Sequence, residues 1–375
     1  MRGSVTVLVT LIAGLASPFA VAAQGISVRF TGRIQIQYNT TNVTESDLIE
    51  ETSTRSPVIA ASTFETRRIR LAALIDAGNG VTGMIEPDFA GAGVSLRNVW
   101  MNIEVDSAFA LRFGTFKRPF GLISLTTSTM IPLIERGIRV RGSHDAIGIL
   151  DDAGAAPVLV RLDGDVVLGE EQELLDRMGY QGYDMGMAAH GTLGRLGYMV
   201  GLFNGTGPDA HDETDGKGIS GRVTYRLASG VPIAFGTGVS YQEKAIDGPV
   251  TADGVAFEID AELGAFRRPG LHVLAEAVTG ENLAAGERFL AAQAAATFFV
   301  PTRSPRVEGV EPAGRISWGD PDRTIEGDEG LLITPGINLY FAGRNRLMLN
   351  WDVFVPRGDR FETLHALRAQ AAVAF

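Results

Sequence analysis

Between Ile26 and Tyr38 the chain reads Ile-Ser-Val-Arg-Phe-Thr-Gly-Arg-Ile-Gln-Ile-Gln-Tyr, apolar or glycine at every even position and polar at every odd one. A period of two fixes an extended strand with one apolar and one polar face. At 13 residues it exceeds the usual strand of about five or six. It is long enough to cross a bilayer on a tilt, which takes about 9–11 residues. The polar face carries two guanidinium groups, Arg29 and Arg33. A soluble sandwich also contains strands with one apolar face, so repetition along the chain decides the matter.

The pattern repeats. Phe64 to Asp76 sets Ile69, Leu71, Ala73 and Ile75 against Arg68 and Arg70. Val94 to Asp106 sets Val99, Met101, Ile103 and Val105 against Asn98, Asn102 and Glu104. Ile219 to Leu227, Ile233 to Tyr241, Ile333 to Phe341 and Arg346 to Val353 continue the alternation. The Ala-rich run Phe289 to Phe299 favours helix by composition, but the spacing of Arg288 to Val300 predicts a strand. The count comes to about sixteen, in the even-numbered range of bacterial barrels.

The connections alternate too. Ala77 to Gly80, Ser107 to Ala108, Thr192 to Gly194 and Ala342 to Asn345 read as tight turns. Between them lie long, mostly polar stretches: Thr40 to Ser62, Arg118 to Gly179, Asn204 to Gly218, Gln242 to Gly254 and Gly319 to Gly330. Short turns at one rim and long loops at the other describe an all-β, transmembrane antiparallel β-barrel of the outer-membrane type. The last strand alternates Leu367, Ala369, Ala371, Val373 and Phe375 with Arg368 and Gln370. A terminal Phe closing such a strand resembles the signal by which outer-membrane barrels meet their assembly machinery.

Residues 1–23 read as a secretory signal peptide, with the apolar run Val5 to Leu15 and the small-residue site Val21-Ala22-Ala23. The barrel is expected over 24–375. No later segment approaches the 18 or so consecutive apolar residues of a spanning helix, so any crossing is made by strands. The chain has no cysteine, which removes disulfides and thiolate metal sites. Its net charge of −11 argues against nucleic-acid binding. Lysine occurs only at Lys117, Lys217 and Lys244, so 30 of the 33 basic residues are arginine, a planar fork suited to oxyanions.

Signals for chemistry are thin. Ser143-His144-Asp145 places triad residue types side by side, whereas triads are assembled in space. His190, His211, His272 and His365 lack metal-ligand spacing. Asp209, Asp212, Glu213 and Asp215, and Glu326, Asp328 and Glu329, read as solvated loop tips. No catalytic residue, metal or cofactor is expected. A barrel of about sixteen strands leaves a water-filled lumen, and rings of Arg or Lys on its wall favour anions. Arg29, Arg33, Arg68 and Arg70 sit on adjacent strands about 4.8 Å apart and are expected to form one positive patch.

The run Leu111-Arg112-Phe113-Gly114-Thr115-Phe116-Lys117-Arg118-Pro119-Phe120-Gly121, leading to Ser124 to Ser128 and Leu133-Ile134-Glu135-Arg136, resembles the signature of the phosphate-selective porins O and P. Gly32-Arg33, Phe64 to Arg68 and Leu202 to Pro208 are similar to further motifs of that family. The resemblance implies a third loop folded into the channel, a homotrimer, and anion-binding arginines at Arg33, Arg68 and Arg136. Ser124 and Thr129 stand where phosphate-selective members carry lysine, and Arg97 where they carry aspartate. Lys117 and Arg118 are possible replacements for that charge. The expectation is an outer-membrane diffusion channel in contact with lipid and lipopolysaccharide, passing small anions such as phosphate or polyphosphate. The alternatives are a nonspecific or organic-anion porin and, more remotely, a barrel enzyme or a barrel without conductance.

Overall fold

A computed structural model describes residues 25–41, 62–90, 93–137, 159–162, 165–168, 178–205, 207, 216–247, 250–283, 287–324, 326, 329–357 and 363–375. The expected signal peptide, Ser143-His144-Asp145, His211 and the acidic residues 209–215 and 328 lie outside the described residues.

The chain forms β1 (Ser27–Thr41), β2 (Ser62–Gly78), β3 (Val81–Asp88), β4 (Ser95–Asp106) and β5 (Phe109–Lys117), then a single helical turn α1 (Leu122–Leu125). A hairpin of β6 (Leu159–Leu162) and β7 (Asp165–Leu168) follows. Next come β8 (Tyr183–Leu193), β9 (Leu196–Phe203), β10 (Gly218–Arg226), β11 (Ile233–Asp247), β12 (Val250–Leu263) and β13 (Gly270–Glu281). The last five are β14 (Arg288–Pro301), β15 (Gly309–Asp320), β16 (Gly330–Tyr340), β17 (Arg346–Pro356) and β18 (Leu364–Ala374). All but β6 and β7 close into one antiparallel barrel of sixteen strands, with β18 returning to pair with β1.

Burial follows the alternation with its usual sense inverted. Phe30, Ile36, Phe257, Ile259, Ile316 and Trp351 are exposed, while Gln35, Gln37, Asn39, Arg68, Arg368 and Gln370 on the other faces are buried. Charged and amide side chains are rarely buried in water-soluble folds. Here the apolar belt faces outward and the polar groups face in, the arrangement a lipid surround requires. Closure leaves no sheet edge, so the backbone is satisfied without a spanning helix. Among the described residues no helix is long and apolar enough to cross a membrane.

Local sequence sets the ends. Asn79 and Gly80, with φ of 53° and 78°, supply the left-handed conformations of the tight β2–β3 hairpin. The expected strand across the Ala-rich run forms as β14, because its backbone pairs with β13 on one side and β15 on the other. One expectation is corrected. Gln242 to Gly254 is mostly ladder: Gln242 pairs with Gly254, Glu243 with Asp253 and Ala245 with Thr251, leaving only the tip between β11 and β12. Backbone pairing needs no apolar side chain, so a polar hairpin extends past the apolar belt.

Closure also depends on Gly32. Its N–H donates to the Phe375 carbonyl at 2.9 Å and its carbonyl accepts from the Phe375 N–H at 3.1 Å. A β-carbon there would lie 2.6 Å from the Phe375 ring and 2.7 Å from the Arg70 carbonyl oxygen. Because one obstacle is backbone, Gly32→Ala is expected to cost about 1–3 kcal/mol, the range for overpacking. The check is the urea midpoint of the refolded barrel; an unchanged midpoint would contradict this role.

Candidate functional site

The site begins with an irregularity between β1 and β2. Gln35 pairs with Arg68 but Ile36 pairs with Thr66, leaving Arg67 as an extra residue in β2. Such a bulge breaks strict alternation locally. Both neighbours consequently reach interior partners: Arg67 donates to Glu135 Oε1 and Oε2 at 3.2 and 3.1 Å, and Arg68 to Gln35 Oε1 at 3.0 Å.

Around them the arginines crowd. Arg33 and Arg70 are directly paired across β1 and β2. Arg33 donates to Thr127 Oγ1 at 3.0 Å and forms an ion pair with Glu86. Arg70 donates to Asp88 at 2.7 Å and to the Tyr183 hydroxyl at 3.2 Å. Arg68 lies within electrostatic reach of Arg67, Arg70 and Arg136 and of the Glu135 carboxylate, and Arg33 within reach of Arg70, Arg136 and Glu86. Among the described residues, five guanidinium groups thus gather around the carboxylates Glu86, Asp88 and Glu135. Arg68 is 4% exposed and, among the described residues, has no carboxylate partner.

The remaining expected residues take different roles. Arg136 donates to the carbonyls of Ile123 at 3.2 Å and Thr126 at 3.0 Å, tying the turn around α1. Arg97 is 3.8 Å from Asp88, and its guanidinium lies 5.8 Å from the Tyr183 ring centre. Lys117 Nζ, 5.4 Å from the same ring, donates to the Ser124 carbonyl. Ser124 is buried. Arg118 anchors the base of the connection, donating to Gly179 O at 2.8 Å and Gln242 Oε1 at 2.7 Å. Arg29 does not join: it is exposed, opposite Leu74, four positions along β1 from Arg33.

Residues 118–137, the described start of the third long connection, bond to interior side chains around the barrel. Ser128 O accepts from Gln35 on β1 at 3.3 Å, and Ile123 N–H donates to Glu276 on β13 at 2.9 Å. Ile134 N–H donates to Asn350 on β17 at 2.7 Å, and Pro132 O accepts from Asn338 on β16 at 2.9 Å. Where this segment passes the β12 and β13 wall the charges reverse. Glu258 and Asp260 hold Arg222, at 2.6 Å and 2.8 Å, and Glu258 also accepts from the Gly121 N–H. At the connection's other end Tyr180 donates its hydroxyl to the Glu281 carbonyl at 2.7 Å, and burial raises its phenol so that it stays protonated.

Sequence reasoning passed over Arg67, Tyr183, Glu86, Glu135 and Arg344. The Arg67-Arg68 doublet inside an alternating strand is itself a bulge signal. Arg344, in the β16–β17 turn, donates to Thr129 Oγ1 at 3.1 Å and could not be found from spacing. The cations near Ser124 and Thr129 are therefore Lys117 and Arg344, brought from the wall. His190 bonds Asn102 at 2.6 Å and His272 bonds Glu262 at 2.9 Å. The arrangement offers charge-assisted donors to an anion.

A family model described as phosphate-selective porin O and P matches residues 28–266. No curated protein matches the chain. Among solved structures, the outer membrane channel DcaP of Acinetobacter baumannii is similar at a TM-score of 0.56 and 12% identity, over 94% of this chain and 98% of that one. OmpF of Salmonella typhi in complex with daunomycin gives 0.58 and 10%, over 94% and 98%. OmpT of Vibrio cholerae, in its trimer form, gives 0.52 and 11%, over 93% and 99%. At these identities the likeness is one of fold.

Proposed function

The chain belongs to the phosphate-selective porin O and P family and forms a channel of the bacterial outer membrane, and on that premise we propose that it passes small anions selected by the arginine cluster. The observation that carries the reading is Arg68, buried within reach of Arg67, Arg70, Arg136 and Glu135, with Gln35 as its hydrogen-bond partner. Like charges repel by about 1 kcal/mol per pair at 4 Å even in water, and an anion among them relieves that repulsion. Residues 118–137 narrow the lumen at this level and present Thr127 and Thr129 beside the cations. The OmpT trimer supports a homotrimer. Residues 1–23 act as the export signal, Phe375 is read by the outer-membrane assembly machinery, and the long loops meet lipopolysaccharide.

A second reading, a nonspecific or organic-anion porin, is favoured by the carboxylates on Arg33 and Arg70, which occupy donors a phosphate would need. Titrating inorganic phosphate into a chloride solution bathing single channels in planar bilayers separates the two. A phosphate-preferring cluster is expected to show block of the chloride current at about millimolar phosphate, the weak end of specific affinities. Unblocked current at that level assigns the second reading, and absence of any conductance contradicts both.

A further inference from the structure

Arg112 lies on β5 on the tight-turn side of Lys117, apart from the cluster just described. Its guanidinium stacks on Trp100 at 4.4 Å from the ring centre and lies 5.6 Å from the Phe116 ring. Among the described residues it makes no ion pair, and its Nε is buried with no hydrogen-bond partner. Its cross-strand neighbours are Asn102 and Ala188. Asn102 already bonds His190 through Oδ1 at 2.6 Å, and Ala188 has no side-chain acceptor. Glu104, two positions on from Asn102, makes no ion pair with Arg112 among the described residues, though both act electrostatically on His190. By contrast Arg33, Arg67, Arg70, Arg222 and Arg368 each hold a carboxylate.

A guanidinium held on one face by an indole, with unused in-plane donors, is built to receive a carboxylate edge-on. Beside it Trp100 and Met199 are only partly buried against Phe116, Ala188 and Phe203, forming an apolar strip. We propose that Arg112 and Trp100 form a second binding station for anions with a flat apolar body, aromatic carboxylates above all. The carboxylate meets the guanidinium while the ring lies along the Trp100 and Met199 strip. Inorganic phosphate and acetate can use only the first half of the site. This station deepens the channel reading, since its ligand arrives through the lumen, and two adjacent weak sites suit conduction better than one tight one.

Trp100 is its own reporter. The other two tryptophans, Trp318 and Trp351, lie on β15 and β17, and Trp318→Phe with Trp351→Phe leaves Trp100 as the sole indole. In detergent-solubilised full-length protein of that background, benzoate is expected to change Trp100 emission saturably. Acetate and phosphate at equal concentration should have a smaller effect. Arg112→Gln should weaken the benzoate midpoint by about tenfold or more, the scale of a charge-assisted bond. Should Arg112→Gln fail to fold, Arg112→Lys keeps the charge but loses the planar fork, and is expected to weaken benzoate while leaving phosphate unchanged. Equal responses to benzoate and acetate, or an unshifted midpoint in the folded variant, would overturn the station. Benzoate binding by a protein that conducts nothing would instead sink the channel reading and keep the station.

Discussion

Arg68→Ala is expected to lower the anion-over-cation permeability ratio of single channels by roughly fivefold, since a unit charge about 4 Å from a passing ion is worth about 1 kcal/mol in water-like surroundings. Removing Arg33, Arg67 or Arg70 subtracts the same unit charge and also takes that partner from Glu86, Glu135 or Asp88, so those variants should lose at least as much anion preference. Among the described residues Arg68 makes no ion pair, so its replacement removes a charge without freeing a carboxylate. Arg68→Lys keeps a charge but not the fork, and should retain most of the preference. Reversal potentials in a salt gradient read both. A ratio unchanged in Arg68→Ala would remove this residue from the selectivity account.

The second large effect concerns stability. Asp352 accepts from Arg368 Nε at 2.6 Å and from Thr334 Oγ1 at 2.5 Å, and lies 3.7 Å from Arg315. Arg368 and Arg315 are 1% and 4% exposed. The network sits where the β16–β17 ladder lapses: pairing runs from Ile333 with Val353 to Gly336 with Asn350, skipping Thr334 and Pro335. Proline has no N–H to donate, so side chains take over the joining of the strands. Asp352→Ala would take one carboxylate from two buried guanidinium groups, at a cost of about 3–5 kcal/mol. The urea midpoint of barrel refolded into lipid should fall accordingly, with little change in slope. A midpoint equal to that of the unmodified protein would show that the network is ornamental.

The two predictions differ in how far sequence reaches them. The barrel was legible because lipid on one side and water on the other force a two-residue period, and Ile26 to Tyr38 displays it without interruption. Even the alanines of β14 kept the spacing, although their propensity argues for helix. Arg33, Arg68 and Arg70 were legible as interior residues for the same reason. Period fails where the backbone departs from it. Arg67 should have pointed outward, and the bulge opposite Gln35 and Ile36 turns it in. Arg29 shares a face with Arg33, but a face is long, and the register places it opposite Leu74.

Contacts of the third connection were illegible for another reason. Glu135 meets Arg67, 68 residues earlier, and Thr129 meets Arg344, 215 residues later. Nothing in local pattern encodes such meetings. The polar residues after Tyr241 read as loop because alternation reports burial, whereas β11 and β12 continue there on backbone pairing alone.

The reversal potential of the unmodified channel under a potassium chloride gradient tests the central claim most directly. An arginine cluster around Arg68 that selects anions predicts a sign that marks chloride as the more permeant ion, weakening as salt screens the cluster at a Debye length of about 3 Å in 1 M. A potential of the opposite sign, with potassium favoured, would contradict it.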